Sequence, residues 1–437
     1  MSETKKIFAV TGNPVLHSKS PLLFNRLFQD NEEKAVYIRI SVEKASEAIS
    51  FFEEIGLSGM NVTSPFKQTI LQKLDKTDPA AAAIDAVNTV VKDEGLLNGF
   101  NTDHIGVTSS LKQLGLRLQE HHCLVLGAGG AGRAAVYGLV QEGANVTVAN
   151  RTHAKAVQAA KTFGCQAASL GDLRSLLNTT EIVVSALAPR INPIRKEWLR
   201  PSHVIFDANY PHSPLSDMAL SQGCTVIRGE EWLFNQAIPV YKLFTGKDAD
   251  RKCMKDTLSS DFKSKENCDN ISLIGFMGCG KTTIGRIIAK KLGYSFKDID
   301  AVIEEREGKT VSDIFRLKGE QDFRTLEKST LSEIHKDKNT VYACGGGILQ
   351  DPANRDTLSR NSLVIWLYAS LESSLQRIDP RSRPLLDTKG QGEKPQTLFH
   401  RRIPHYAQAA DLLVLSEINP EKTAENIYDE IHHAFAD

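Results

Sequence analysis

Short apolar runs at residues 7–10, 35–42 and 60–63 alternate with stretches whose apolar positions recur at helical spacing. The alternation predicts strands joined by helices. Residues 86–91 and 96–101 flank Asp93-Glu94-Gly95, which predicts a hairpin. From residue 123 the rhythm changes. Runs at 123–126, 145–149, 182–185, 204–207 and 225–227 are short, apolar throughout and separated by helical stretches, the pattern of a parallel, doubly wound sheet. Residues 247–270 then carry Lys, Asp, Ser and Asn with few large apolar side chains, the composition of a linker. Beyond them the rhythm restarts at 271–274, 341–344, 363–367 and 412–415. The expected fold class is therefore α/β throughout. An α/β domain is expected over 1–102, then a doubly wound domain over 103–229, the linker over 247–270, and a further α/β domain over 271–437. So polar a linker predicts halves that fold and work independently.

The 437 residues have room for about three domains of ~150 residues, and 41% hydrophobic with 24% charged residues is ordinary for a folded protein. Lys plus Arg (53) equals Asp plus Glu (53), so no global field favours nucleic acid or an anionic membrane as a partner. Any anion must be held locally. The 7 cysteines are odd in number, scattered and without a C-x-x-C pair, which argues against a disulfide framework or structural zinc and for a reducing compartment. The N-terminus shows neither a signal-peptide core nor an Arg-rich transit segment. The most apolar window, 123–140, is broken by Arg133 and five glycines, too interrupted for a membrane span. A cytoplasmic protein is expected; its oligomeric state, monomer or homodimer, stays open.

Gly127-Ala128-Gly129-Gly130-Ala131-Gly132 follows an apolar run and precedes a helix-forming stretch. G-x-G-x-x-G in this setting brings backbone N–H groups and a helix N-terminus against a pyrophosphate. The next strand resolves the dinucleotide. An NAD site usually places an acid about 20 residues on for the ribose hydroxyls; here stand Asn150-Arg151-Thr152, with Lys155 one turn later. Cations at a helix start oppose its dipole, so a 2′-phosphate is the better account, and NADPH/NADP+ the expected cofactor.

Three upstream segments place hydroxyls, amides, a lysine and an aspartate at strand ends: Gly12-Asn-Pro-Val-Leu-His-Ser18-Lys-Ser20-Pro, Asn61-Val-Thr63-Ser-Pro-Phe-Lys67, and Asn88 followed by Asn101-Thr102-Asp103. Singly, each has a structural use as a cap or turn residue. Together with the glycine-rich turn, Asn150-Arg151-Thr152 and the late Gln236-Ala237, they make residues 1–246 resemble the shikimate dehydrogenase family. That resemblance implies a substrate domain over 1–102, completed by a helix over 230–246, and a Rossmann-like NADP domain over 103–229, with Ser18, Ser20, Asn61, Thr63, Lys67, Asn88, Asp103 and Gln236 holding shikimate or 3-dehydroshikimate. It makes Lys67 and Asp103 the catalytic pair. Reducing a ketone requires hydride on one face and a proton for the developing alkoxide, which a lysine positioned by a carboxylate can supply. One departure is Ser185-Ala-Leu-Ala-Pro189, where the family usually has an Asn-Ala-Thr-like stretch, so the nicotinamide-side contacts are not carried over.

Gly275-Phe-Met-Gly278-Cys279-Gly280-Lys281-Thr282-Thr283 is G-x-x-x-x-G-K-[ST] between a strand and a helix. Its backbone cradles phosphates, Lys281 neutralises them and the Thr282 hydroxyl ligates Mg²⁺. Asp298 and Asp300, two apart, are expected on one face of a strand, one for the metal and one for an acceptor hydroxyl. Arg324 lies on a helical stretch, Gly345-Gly346-Gly347 ends a strand, and Arg383-Pro-Leu-Leu and Arg402 flank a polar segment. In combination, residues 271–437 resemble the shikimate kinase family, a P-loop α/β/α fold. The resemblance implies that Asp300, Arg324, Gly345, Gly346, Gly347 and Arg402 hold shikimate, with Asp300 catalytic. It also implies that Arg383 reaches the phosphates of ATP and that Asp298 serves Mg²⁺. Gluconate kinase, a P-loop relative, lacks this combination. The two motif sets point to one metabolite: NADPH-dependent reduction of 3-dehydroshikimate to shikimate, then ATP-dependent phosphorylation to shikimate 3-phosphate. Ser18 with Ser20, and Arg151, argue against a quinate and NAD variant. Intact Lys67, Asp103, Lys281 and Asp300 argue against a sensor that has lost its chemistry.

Overall fold

In the computed structural model the described residues are 5–188, 191–210, 213–259, 269–334, 336–378, 394–416 and 419–435. They gather into two compact units, Met1–Ser58 with Asp261–Asp437, and Gly59–Ser260. The division differs from the one expected from the hydrophobic pattern, because the first strands and the C-terminal α/β domain fall in one unit.

In that unit the strands run in the order Ser295–Asp298, Thr340–Ala343, Ile271–Ile274, Leu363–Tyr368, Leu412–Leu415, Ala35–Ser41 and Lys6–Gly12, all parallel. All six residues of Leu363–Tyr368 are buried, as expected of a strand covered on both faces. The join lies between Leu412–Leu415 and Ala35–Ser41, in register Leu413 to Ile40 and Val414 to Ser41. Both are short apolar strands, and an unpaired edge on either would leave backbone N–H and C=O groups open. The C-terminal sheet thus continues directly into the N-terminal strands. Helix Lys281–Leu292 packs on the C-terminal helix Pro420–Phe435. Within the stretch expected as a linker, Arg251–Ser259 is a helix with Met254 fully buried.

In the second unit the strand Thr89–Asp93 forms the expected hairpin with Leu96–Phe100, turning through Glu94 and Gly95 at positive φ. Asn61 pairs with Thr89 across the hairpin's other edge. A separate parallel sheet runs Thr225–Ile227, Val204–Asp207, Ile182–Ser185, His122–Leu126, Asn145–Ala149 and Gln166–Ala168. Strand order reverses between Ile182–Ser185 and His122–Leu126, the switch point at which doubly wound sheets bind ligands. The edge strand Gln166–Ala168, three residues of which two are alanine, was too short to stand out in the hydrophobic pattern. Among the described residues no helix is long and apolar enough to cross a membrane.

Candidate active sites

The glycine-rich turn sits at that switch point. Gly127 takes φ +107°, a conformation open to glycine, and a side chain at Gly132 would collide with the Gly127 carbonyl. Helix Gly130–Gln141 starts directly from the turn, its first N–H groups unpaired within the helix. Gly127 N–H bonds the Ala149 carbonyl and Ala128 N–H the Asn150 Oδ1 at 3.2 Å, fixing the turn against the second strand. Beyond that strand Arg151, Thr152 and Lys155 are exposed at the start of helix His153–Phe163, whose first turn carries no acid. Exposed cations beside a helix N-terminus can take a phosphate. Ala186 lies against Gly127, its carbonyl 3.0 Å from where a Cβ would be, while Pro189 lies outside the described residues.

The same turn packs on Lys67: a Cβ at Gly130 would lie 3.1 Å from the Lys67 Cβ. The Lys67 ammonium donates to Asp103 Oδ2 at 2.5 Å, with the Asp103 side chain only 2% exposed. Asp103 opens helix Asp103–Lys112, so its carboxylate also meets the positive end of that helix. Its other oxygen accepts from Asn88 Nδ2 at 3.0 Å. Asn88 Nδ2 also faces Thr102 Oγ1 and Gln236 Oε1, each at 2.9 Å, and its Oδ1 accepts from Thr102 N–H. Asn61 Nδ2 reaches the Asn88 carbonyl at 3.1 Å and the Thr89 hydroxyl at 2.9 Å. Five of the expected residues, Asn61, Lys67, Asn88, Asp103 and Gln236, are thus one hydrogen-bonded network. Thr102 belongs to it too and carries no signal in sequence beyond its place between Asn101 and Asp103. Thr63 is half-buried and its carbonyl closes the turn that leads to Lys67. In the other unit Ser18 and Ser20, both buried, lie with their hydroxyls 3.3 Å apart.

The second phosphate-binding loop follows strand Ile271–Ile274. Gly278 and Gly280 take φ +80° and +94°, and a side chain at Gly278 would strike the Ser374 carbonyl. Lys281 lies across the loop, donating to the Gly275 and Phe276 carbonyls at 3.0 Å each, with Cys279 Sγ at 3.7 Å. Thr282 Oγ1 donates to Asp298 Oδ2 at 2.7 Å. A hydroxyl and a carboxylate so placed are hard oxygen donors of the kind Mg²⁺ takes. Thr283 is exposed in the helix's first turn. The expectation that Asp298 and Asp300 share a strand face is corrected. The strand ends at Asp298, which caps helix Ile299–Glu307 by accepting from Asp300 N–H at 3.1 Å, so the two carboxylates diverge. Asp298 turns to Thr282, and Asp300 to the triple glycine.

That glycine run gathers the remaining residues. A Cβ at Gly345 would lie 2.9 Å from Asp300 Oδ1, one at Gly346 would lie 3.1 Å from Arg402 Nη1, and one at Gly347 would overlap the Arg324 guanidinium. Arg324 is held by Glu327 at 2.8 Å and Glu320 at 3.0 Å. Arg402 is 2% exposed, and its Nε and Nη1 have no hydrogen-bond acceptor among the described residues. Glu327 was missed in sequence. It is fully buried, and burial pushes its carboxyl up to about 7, with Asp300 adding to the rise and Arg324 and Arg402 opposing it. The available signal was its position three residues after Arg324 on one helix, where ion pairs form. Gly319 breaks the helical stretch ahead of them. Arg383 lies outside the described residues.

Comparisons with known proteins divide along the same line. Residues 10–90 match the family model of the shikimate dehydrogenase substrate binding domain, residues 109–212 that of shikimate / quinate 5-dehydrogenase, and residues 277–432 that of shikimate kinase. The shikimate dehydrogenase (NADP(+)) of Aquifex aeolicus is 36% identical over 248 residues, covering 55% of this chain and 91% of that protein. Its relatives of known structure include a shikimate dehydrogenase of Aquifex aeolicus, with TM-score 0.56 at 31% identity over 60% of this chain and 99% of that one. Another is the shikimate 5-dehydrogenase of Thermus thermophilus in complex with NADP(H) and shikimate, with TM-score 0.52 at 32% identity over 58% of this chain and 98% of that one.

Proposed function

The chain belongs to the shikimate dehydrogenase family and carries a shikimate kinase domain C-terminal to it, and from this premise we propose two consecutive reactions on one metabolite. The first reduces 3-dehydroshikimate to shikimate with NADPH, and the second phosphorylates shikimate to shikimate 3-phosphate with ATP and Mg²⁺. The observation that carries this reading is the Lys67–Asp103 ion pair packed against the glycine-rich turn, which puts a proton donor beside the dinucleotide's docking site.

NADPH, when bound on that turn, supplies the hydride. Lys67 gives its ammonium proton to the oxygen of the ketone as it gains negative charge. Asp103 holds the ammonium in place and balances it, and Asn88 holds Asp103. Ser18, Ser20, Asn61, Thr63 and Gln236 bind hydroxyl and carboxylate groups of the substrate. Gly127, Ala128, Gly129, Gly130, Ala131 and Gly132 take the pyrophosphate, and Asn150, Arg151, Thr152 and Lys155 take the ribose and its 2′-phosphate.

ATP, when bound with Mg²⁺, supplies the phosphoryl group. The loop 278–283 and Lys281 hold its phosphates, and Thr282 with Asp298 hold the metal. Asp300 accepts the proton of the attacking 3-hydroxyl. Arg324 and Arg402 bind the carboxylate of shikimate, whose oxygens satisfy the Arg402 donors that lack acceptors among the described residues. Arg383 is proposed to reach the phosphates. The six cysteines among the described residues are all free, which fits a reducing, cytosolic setting. To test the reading, the purified chain is given shikimate with NADP⁺ or NAD⁺, and separately shikimate with ATP and Mg²⁺. Oxidation favouring NADP⁺ and ATP-dependent phosphorylation are expected; preference for quinate and NAD⁺, or ATP turnover indifferent to shikimate, would overturn it.

A further inference from the structure

The loop between strand Lys6–Gly12 and helix Ser20–Asp30 carries Ser18 and ends on Ser20, and its residues 13–19 lie in neither strand nor helix. Val15 is fully buried and Leu16 nearly so, so the N–H groups of both need an acceptor inside the protein. That acceptor comes from the far end of the sequence. Glu430, on helix Pro420–Phe435 of the kinase domain, points one oxygen, Oε2, at both: 2.9 Å from Val15 N and 2.8 Å from Leu16 N. The carboxylate is 0% exposed. Burying a carboxylate is costly unless it is hydrogen-bonded, and two backbone N–H groups converging on one oxygen form the kind of anion cradle that offsets the cost.

The loop is held at a second point by Arg39 of strand Ala35–Ser41, which in turn bonds the kinase domain. The Ser18 carbonyl accepts from Arg39 Nη2 at 2.7 Å and Nε at 3.0 Å, and Arg39 Nη1 donates to the carbonyl of Asp411 at 3.2 Å. Asp411 immediately precedes Leu412–Leu415, the kinase-domain strand that pairs with Ala35–Ser41. Around this join His17 meets His433 edge to face at 5.1 Å, and Lys422 pairs with Glu43 at 2.5 Å. Within the loop, Ser18 N–H bonds the Val15 carbonyl, so the turn that Glu430 anchors closes on the Ser18 backbone. Ser18 Oγ in turn accepts from Ser20 N–H at 3.3 Å.

We propose that Glu430 is a positioning residue for the reductase: through Val15 and Leu16 it holds the loop bearing Ser18 and Ser20 in its substrate-binding shape, so the kinase domain completes the 3-dehydroshikimate site. The proposal rests on the reading that Ser18 and Ser20 bind that substrate. It makes the fusion a structural dependence of one active site on the other domain, beyond two activities sharing a chain.

The test uses the full chain with Glu430→Ala, the near-isosteric Glu430→Gln, and Ser18→Ala/Ser20→Ala as a reference. Losing charge-assisted bonds to the loop is expected to raise the KM for 3-dehydroshikimate by roughly 10- to 100-fold in Glu430→Ala. The reductase kcat, the KM for NADPH and the kinase rate should stay within about twofold, as for distant sites. Glu430→Gln, which keeps an acceptor oxygen, should recover most of the loss. If Ser18→Ala/Ser20→Ala raises the KM while both Glu430 variants leave it unchanged, the positioning role is overturned. Loss of kcat and kinase activity together in both Glu430 variants would show a structural role only and overturn it as well. If Ser18→Ala/Ser20→Ala itself leaves the KM unchanged, the reading beneath the proposal fails and the proposal falls with it.

Discussion

The two candidate sites meet their hydrogen-bonding needs in opposite ways. In the reductase half, Asn61, Lys67, Asn88, Asp103 and Gln236 satisfy one another: the ammonium has its carboxylate, and the Asn88 amide has its acceptors. Around the triple glycine of the kinase half, Arg402 is buried with two donor nitrogens lacking acceptors among the described residues, and Glu327 sits in a setting that resists its charge. A self-satisfied network holds a proton donor in one orientation before substrate arrives. A buried arginine with open donors leaves part of the site to be completed by an anion, so on the proposed reading the ligand's carboxylate is itself a structural partner. Proton transfer requires the first arrangement, and capture of a small carboxylate the second.

Lys67→Ala attacks the preformed network at its functional atom and is expected to have the largest effect, slowing NADPH oxidation by roughly 10²- to 10⁴-fold. Kinase activity on added shikimate should persist in that variant; near-normal NADPH oxidation would mean that another group delivers the proton. Arg402→Ala removes the donors left for the ligand, and the kinase KM for shikimate should rise roughly 100-fold with the KM for ATP little changed. An equal rise in both would place Arg402 with the nucleotide.

Arg151→Ala tests an exposed contact, so a smaller effect is expected, a roughly 10-fold rise in the KM for NADPH with little for NADH. The same rise for both cofactors would show that Arg151 does not read the 2′-phosphate. The effect expected to be smallest on turnover, because it falls on stability, concerns Glu327, whose carboxyl lies at about 7 in the fold against an ordinary 4.5. The unfolded chain then binds fewer protons between those values, so this group's contribution is present below about 4.5 and is lost as pH rises through about 7. Glu327→Gln should flatten that decline, a difference of up to about 3 kcal/mol between the acidic and alkaline ends of unfolding curves. An unchanged pH profile would mean that Arg324 and Arg402 keep Glu327 charged throughout.

Both phosphate-binding turns were legible in the sequence because their demands fall on the backbone: Gly127, Gly132, Gly278 and Gly280 each stand where a side chain would be strained or would collide. The Lys67 and Asp103 pairing was legible only through the family resemblance, since 36 residues separate them. Asp298 and Asp300 misled, because their spacing fits a strand face as well as a strand end capping a helix. Glu327 and Glu430 were hidden for a common reason: an acid on an amphipathic helix reads as a solvated face, and only packing shows it buried. The pairing of Leu412–Leu415 with Ala35–Ser41 was hidden too, since an apolar strand announces that it needs neighbours without saying which.

The central claim is that one chain carries a single metabolite through both reactions. The direct measurement supplies the purified protein with 3-dehydroshikimate, ATP and Mg²⁺, adds NADPH, and follows NADPH loss, ADP formation and shikimate 3-phosphate together. The account predicts no ADP above background until NADPH is added, and then ADP and shikimate 3-phosphate formed in step with NADPH consumed. ADP formation that ignores NADPH, or NADPH consumption with no phosphorylated product despite ATP, would contradict it.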